Sequence, residues 1–362
     1  MPTHESASGA VSKVTRESSL GIESRLEGWL QENLSGFERC RVGSFSSSTA
    51  GGLSGETLIV PLEQAPVSAV VVKLEVLEAA TNPQTSFSTL LTLQKALGDI
   101  DTLPVPRLLG AESSPDVLGA PFAVMEFVAG QIPSDIPPYA ASGWVREATA
   151  EQRAQMWDSG LDFLVQLHQL DWQALALQHL QFDAPGDDHL ERCLNFSVQL
   201  FRDESNGRSS AICEEAIAWL RSHRPGPARE CLNWGDARIG NIIWQNFECA
   251  AAIDWEMGCL GYPGIDLGWW SFFHRWSTFG QNNPALEGMC VGQELADLYH
   301  ARGGDRIEQF VYYELLAAIR GLSIWLRMFD AMKAQGAFGD LDPLGDEIHM
   351  VKVVDALMRE AR

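Results

Sequence analysis

The stretch LNWGDARIGNIIW, residues 232–244, sets an acid, Asp236, shortly ahead of an amide, Asn241, inside an otherwise apolar, β-like run. A second acid, Asp254, follows in AAIDWE, after the apolar run Ala250–Ile253. That run reads as a short buried strand. A hairpin return from 242–244 to 250–253 carries Asp254 back beside Asn241. An Asp and an Asn suit a magnesium ion, which takes few protein oxygens and completes its shell with substrate phosphates. Asp236 is then left to accept a proton from an attacking hydroxyl. Phosphoryl transfer needs this division of labour, because its catalysis is mainly positioning and charge neutralisation.

The phosphate-binding half comes earlier in the chain. TAGGLSGET, residues 49–57, can turn tightly and bring backbone N–H groups close to phosphates through Gly51, Gly52, Ser54 and Gly55. Lys73 closes the strand-like AVVVK, and a lysine at a buried strand end needs an anion, which ATP phosphates supply. Each signal alone has a plainer reading. Gly-Asp is common in turns, Asn241 and Asp254 suit caps, and Lys73 can snorkel from an edge strand. The order of loop, lysine, Asp…Asn and second Asp is the order given for protein kinases, and that order carries the reading.

The elements that must hold these groups are legible from periodicity. Leu20, Leu26, Trp29, Leu30 and Leu34 mark a helix over 20–34, and FSTLLTLQKAL a second over 87–97. TLIVPL (57–62), SAVVVKLEV (68–76), VPRLLGAE and PFAVMEFV read as strands. From residue 145 the pattern turns mainly helical, interrupted by short β-like segments at 231–256. The expected fold class is α+β with two lobes: a small antiparallel sheet with one inserted helix, then a larger, mainly helical lobe, with a ligand cleft at their junction. The division is a flexible tail over 1–20, a nucleotide-binding lobe over 21–128, and a lobe over 129–362 with the catalytic loop and acceptor site.

Composition narrows the partners. The 362 residues carry a net charge of −22, which repels nucleic acid and anionic membrane. No apolar run reaches the roughly 18 residues of a membrane span. The polar start lacks a hydrophobic signal core, and seven scattered cysteines form no CxxC. Both point to a reduced, cytoplasmic protein. Eight histidines without paired-ligand spacing give a zinc site little support. Oligomeric state is left open.

GGLSGET (51–57), VVVK (70–73), LPVPRLLG (103–110), PFAVMEFVAGQIP (121–133), LVQLHQLDW (164–172), GDARIGN (235–241), IDWE (253–256) and DLGWW (266–270) together resemble the aminoglycoside phosphotransferase and choline kinase-like family, which shares the protein-kinase fold. The resemblance spans roughly 21–330, within a branch similar to the kinase-like domains joined to acyl-CoA dehydrogenases. It implies a small-molecule kinase that moves the γ-phosphoryl group of ATP, or of GTP, to a hydroxyl with Mg2+. Asp236 is implied as the base, Asn241 and Asp254 as magnesium ligands, and Lys73 as a contact to the α/β phosphates. Backbone groups of Glu126, Phe127 and Val128 are implied for adenine. Asp266 braces the catalytic loop, and Trp234, Arg238 and Glu256 belong to the same supporting set.

Two departures stand out. The family's loop begins His-Gly-Asp, whereas here Trp234 precedes Gly235; an indole can replace the imidazole by packing while losing a polar contact. The glutamate that usually pairs with the strand lysine falls near Leu90, so Glu75, Glu78 or Asp254 are the remaining partners. A pseudokinase or nucleotide-binding regulatory protein is therefore the alternative. The acceptor stays open among an aminoglycoside, an amino alcohol and a hydroxyacyl compound. Asp183, Asp187, Asp188 and Glu191 suit a cationic acceptor, or equally a solvated helix start.

Overall fold

Helical spacing places Ile22, Leu26, Trp29 and Leu30 on one face of α1 (Ser19–Asn33), and all four are buried. The computed structural model describes residues 19–45, 57–75 and 86–362. The predicted phosphate-loop residues Gly51, Gly52, Ser54 and Gly55, the acid Glu78 and residues 1–18 lie outside them. Among the described residues the chain divides into two compact units. One holds Val105–Val128 and the chain up to Ile100; the other holds Asp101–Pro104 and Ala129–Arg362. The short segment 101–104 belongs with the second unit, where the Pro104 carbonyl accepts the Ala252 N–H at 2.8 Å.

The first unit is a five-stranded antiparallel sheet. Its strands are β1 (Arg41–Val42), β2 (Thr57–Glu63), β3 (Ala69–Leu74), β4 (Leu108–Glu112) and β5 (Phe122–Glu126), in the order β1-β2-β3-β5-β4. Period-two alternation sends Leu58, Val60 and Leu62, and Val70, Val72 and Leu74, to one face. There they pack with α1, Phe122 and Val124. Burying such side chains stabilises by roughly 25 cal/mol per Å² of apolar surface. The inserted helix α2 (Phe87–Gly98) is capped by Ser86, whose side chain accepts the Thr89 N–H at 3.2 Å. Gln94 on α2 donates to the Pro106 carbonyl at 2.6 Å.

The second unit is mainly helical. It holds α3 (Trp144–Glu147), α4 (Ala150–His168), α5 (His189–Ser205), α6 (Ala211–Ser222), α7 (Gly264–Arg275), α8 (Gly292–Ala301), α9 (Phe310–Ala334) and α10 (His349–Ala361). Thr149 and Gln152 close a capping box at the start of α4. Helices α7 and α9 approach closely at Gly268, where a Cβ would lie 2.4 Å from the Tyr313 carbonyl. Two small ribbons interrupt the helices: β6 (Cys231–Asn233) with β9 (Cys259–Gly261), and β7 (Ile242–Gln245) with β8 (Glu248–Ala252). The β9 strand is absent from the sequence reading, since three residues carry no periodic signal. No helix among the described residues is long and apolar enough to cross a membrane.

Candidate active site

Strand β6 pairs with β9 through Leu232↔Leu260 and delivers the chain into Trp234. Gly235 follows at φ 84°, and a Cβ there would lie 1.8 Å from the Met257 carbonyl oxygen. Only glycine fits this left-handed turn against a neighbouring backbone. The turn aims the Trp234 and Gly235 N–H groups at Asp266, in the first turn of α7. Both donate to its carboxylate at 2.7 Å. His168 Nε2 lies 3.1 Å from the same carboxylate, and His168 Nδ1 lies 2.8 Å from the Tyr299 hydroxyl. The Asp266 N–H returns to Asn233 Oδ1 at 3.3 Å. Asp266 is 0% exposed. Burying a carboxylate is costly unless donors surround it, and here backbone amides, an imidazole and the helix N-terminus do so.

Asp236 is held differently. Its Oδ1 accepts Trp269 Nε1–H at 2.7 Å and Arg238 Nε–H at 3.1 Å, and its Oδ2 accepts Asn241 Nδ2–H at 2.6 Å. Arg238 also reaches Asp135 Oδ2 at 2.5 Å and lies over the Phe273 ring. Burial opposes the Arg238 charge, but Asp236 and Asp135 outweigh it and hold its pKa above the ordinary range. Asp236 keeps 14% of its side chain exposed, so a small molecule can reach it.

The β7–β8 hairpin turns at Asn246 and Phe247, both at positive φ, and pairs Ile242 with Ala252. It brings the Ile253 N–H to the Asn241 carbonyl at 2.9 Å, one residue short of Asp254. Asp254 adopts φ 63°, a left-handed conformation that turns the chain sharply after β8. Asn241 spends its Nδ2 on Asp236, which leaves Oδ1 as the atom suited to a cation. Among the described residues no cluster of three His, Cys, Asp or Glu side chains is placed to hold a metal alone. An Asn–Asp pair leaves most of an octahedral shell to phosphate and water, which fits magnesium. Glu256 sits just beyond Trp255, half-buried.

Trp234 departs from the expectation of a lost polar contact. Its Nε1–H donates to the Ile253 carbonyl at 3.0 Å, so the indole ties the loop to the residue that precedes Asp254. Its ring is fully buried and packs edge-on against Phe163, at 5.4 Å, and obliquely against Trp255, at 5.6 Å.

In the first unit, Lys73 is half-buried and pairs in register with Thr57 and Ala123. The Glu126 N–H is taken by the Arg107 carbonyl at 2.9 Å, and Phe127 and Val128 follow the end of β5. Asp135 carries no signal in the sequence; His168 is a buried residue with both ring nitrogens partnered, as its place on an apolar helix implies, and Trp269, a candidate for core or for the acceptor pocket, donates to Asp236. The signal for Trp269 was its place three positions after Asp266 on a helix, which puts both on one face. The acids read as suited to a cation are largely engaged. Asp188 caps α5 at the Glu191 N–H (2.9 Å), accepts Tyr262 O–H (3.2 Å) and pairs with Arg224. Glu191 accepts the Asp187 N–H at 2.8 Å and faces Arg224 at 3.6 Å.

A glycine-turned Asp…Asn loop, a hairpin returning toward a second Asp and a helix bracing the loop come together in the second unit of this α+β fold. Residues 63–303, more than half of the chain, match the phosphotransferase enzyme family, and the chain belongs to that family. It is 29% identical over 223 residues to acyl-CoA dehydrogenase family member 11 of Mus musculus, a match that covers 59% of this chain and 27% of that protein. The chain thus spans about a quarter of that relative's length. A solved structure from Ralstonia eutropha, provisionally assigned as an aminoglycoside phosphotransferase, superposes with a TM-score of 0.69 at 20% identity, covering 93% of this chain and 98% of its own. Choline kinase from Cryptosporidium parvum gives 0.54 at 12% identity, covering 93% of each chain. At these identities the likeness is one of fold, and that fold is protein-kinase-like. The family and its kinase neighbours support small-molecule phosphotransfer.

Proposed function

We propose that this chain is a magnesium-dependent phosphotransferase that moves the γ-phosphoryl group of ATP to a hydroxyl of a small molecule. The observation that carries the reading is the reachable Asp236 carboxylate, linked through Asn241 to the hairpin that returns Asp254. Solved neighbours in complex with ADP and with GDP support a purine nucleotide donor, GTP included. When bound, magnesium and nucleotide supply an electrophilic phosphoryl group whose charge is neutralised. Asn241 Oδ1 and the Asp254 carboxylate are the oxygens that would hold the metal. Lys73 and the loop at 49–55 serve the phosphates, and backbone groups of Phe127 and Val128 serve the base.

Asp236 orients the acceptor hydroxyl and accepts its proton as the oxygen–phosphorus bond forms. Its three donors hold the carboxylate in place and fix its aim, so its part is chiefly positioning. That suits a loose transition state, in which the attacking oxygen bonds late. Asp266 holds the loop through Trp234 and Gly235, and Arg238 holds Asp236 against Asp135. The test is Asp236→Asn assayed for ADP formation across a panel of hydroxylated metabolites. Transfer should fall by about 10²–10⁴-fold, while nucleotide still raises the melting temperature. Unchanged turnover sinks the assignment.

The alternative is a regulatory protein that binds nucleotide without transferring its phosphoryl group. Magnesium-dependent nucleotide binding with no transfer to any acceptor would select that alternative.

A further inference from the structure

Arg320, near the middle of α9, is 3% exposed. Its guanidinium lies over the ring of Trp269 at 5.3 Å and over that of Phe182 at 5.5 Å. Aromatic faces attract a cation without neutralising it. Among the described residues no carboxylate forms an ion pair with it, and acids elsewhere in this unit have other partners. Glu314 serves Ser271 and Arg275. Asp266 serves Trp234, Gly235 and His168. Asp188 and Glu191 face Arg224. Two thiols, Cys193 and Cys259, also lie near it. Burial raises Cys193 to about 11 and Cys259 further, so at neutral pH both stay protonated and bring no counter-charge.

A buried guanidinium without an anion is costly, and its planar fork is shaped for carboxylate or phosphate. The position of this one is informative. The Trp269 indole that Arg320 covers also donates its Nε1–H to Asp236 at 2.7 Å. We propose that Arg320 binds an anionic group of the acceptor alcohol, a carboxylate or a phosphate, across the Trp269 indole from the hydroxyl that Asp236 orients. The acceptor class is then an acidic alcohol rather than a polyamine sugar or an amino alcohol. The inference deepens the reading of Asp236 as the acceptor-side base and rests on it.

The experiment reads the Arg320 Nε–H resonance, assigned by its loss in Arg320→Lys, during separate titrations with sodium acetate and inorganic phosphate. Sodium chloride and tetramethylammonium chloride serve as controls. The expected result is a saturable shift with acetate, phosphate or both, and none with the controls; which anion acts distinguishes a carboxylate from a phosphate head. In Arg320→Met, which keeps the volume without the charge, affinity for that anion should drop at least tenfold while the protein stays folded. A resonance that neither anion moves overturns the proposal, whatever Asp236→Asn does to transfer. A responsive Arg320 beside a fully active Asp236→Asn instead leaves the anion site standing and removes the base assignment.

Discussion

Asp266 and Asp236 are carboxylates joined to the same loop, yet the first is sealed and the second is reachable. Asp266 is 0% exposed, and two of its donors are backbone N–H groups. Asp236 keeps 14% exposure, and its donors are the side chains of Trp269, Arg238 and Asn241. Backbone donors are fixed by the chain path, whereas side-chain donors can shift when a substrate arrives. The contrast separates a sealed brace from an acid that stays partly open, although residue type alone makes them equivalent.

Asp266→Ala tests the brace and has the largest expected effect. It strips the acceptor from two buried N–H groups and a histidine, and should cost about 3–5 kcal/mol of stability by urea denaturation. A loss below about 1 kcal/mol would erase the distinction between the two acids. Asp236→Asn should show the reverse pattern, with most of the stability kept and most of the transfer gone.

The far end of α7 supplies a pH test. Burial pushes the pKa of His274 down to about 3, with its Nδ1 at 2.8 Å from the Tyr139 hydroxyl. An unfolded histidine titrates near 6.5. Between these values the unfolded chain binds the extra proton, so stability falls as pH drops below about 6.5. At pH 4.5 the loss from this group approaches about 2–3 kcal/mol. His274→Gln should flatten that part of the stability profile; an unchanged slope would show that the imidazole is not held neutral.

Trp269→Phe keeps an aromatic ring and deletes one donor to Asp236. Transfer should fall about tenfold, equivalent to about 1.4 kcal/mol, with little change in melting temperature. A drop as large as that of Asp236→Asn would mean that the carboxylate's aim depends chiefly on this indole. Trp234→Phe is the mildest change. It leaves the Ile253 carbonyl without its donor and should cost about 1 kcal/mol, measured as a shift in denaturation midpoint. No shift would mean that the indole only fills space.

Much of the fold was legible because periodicity survives in the linear order. The alternation of Leu58, Val60 and Leu62 and the helical spacing of Ile22, Leu26 and Leu30 each predict an element found in the structure. The hairpin return toward Asn241 was legible for the same reason. Strand β9 was not, because its pairing with β6 is non-local. Nor was the pairing of Asp188 with Arg224, 36 residues away, which turns a candidate cation site into a capped and neutralised helix start.

Covalent order alone determined which groups this chain could bring to chemistry: Lys73, Asp236, Asn241 and Asp254, in a spacing that a short hairpin can close. Tertiary structure decided how each acid is held. Trp269 comes from 33 residues beyond Asp236, and Asp135 comes from 103 residues before Arg238. Such partners set exposure and hydrogen bonding, and these determine whether a carboxylate is a buried anchor or an acid that substrate can touch. The same reason hid Arg320. An arginine within an apolar helix shows its missing counter-charge only when its neighbours are in place.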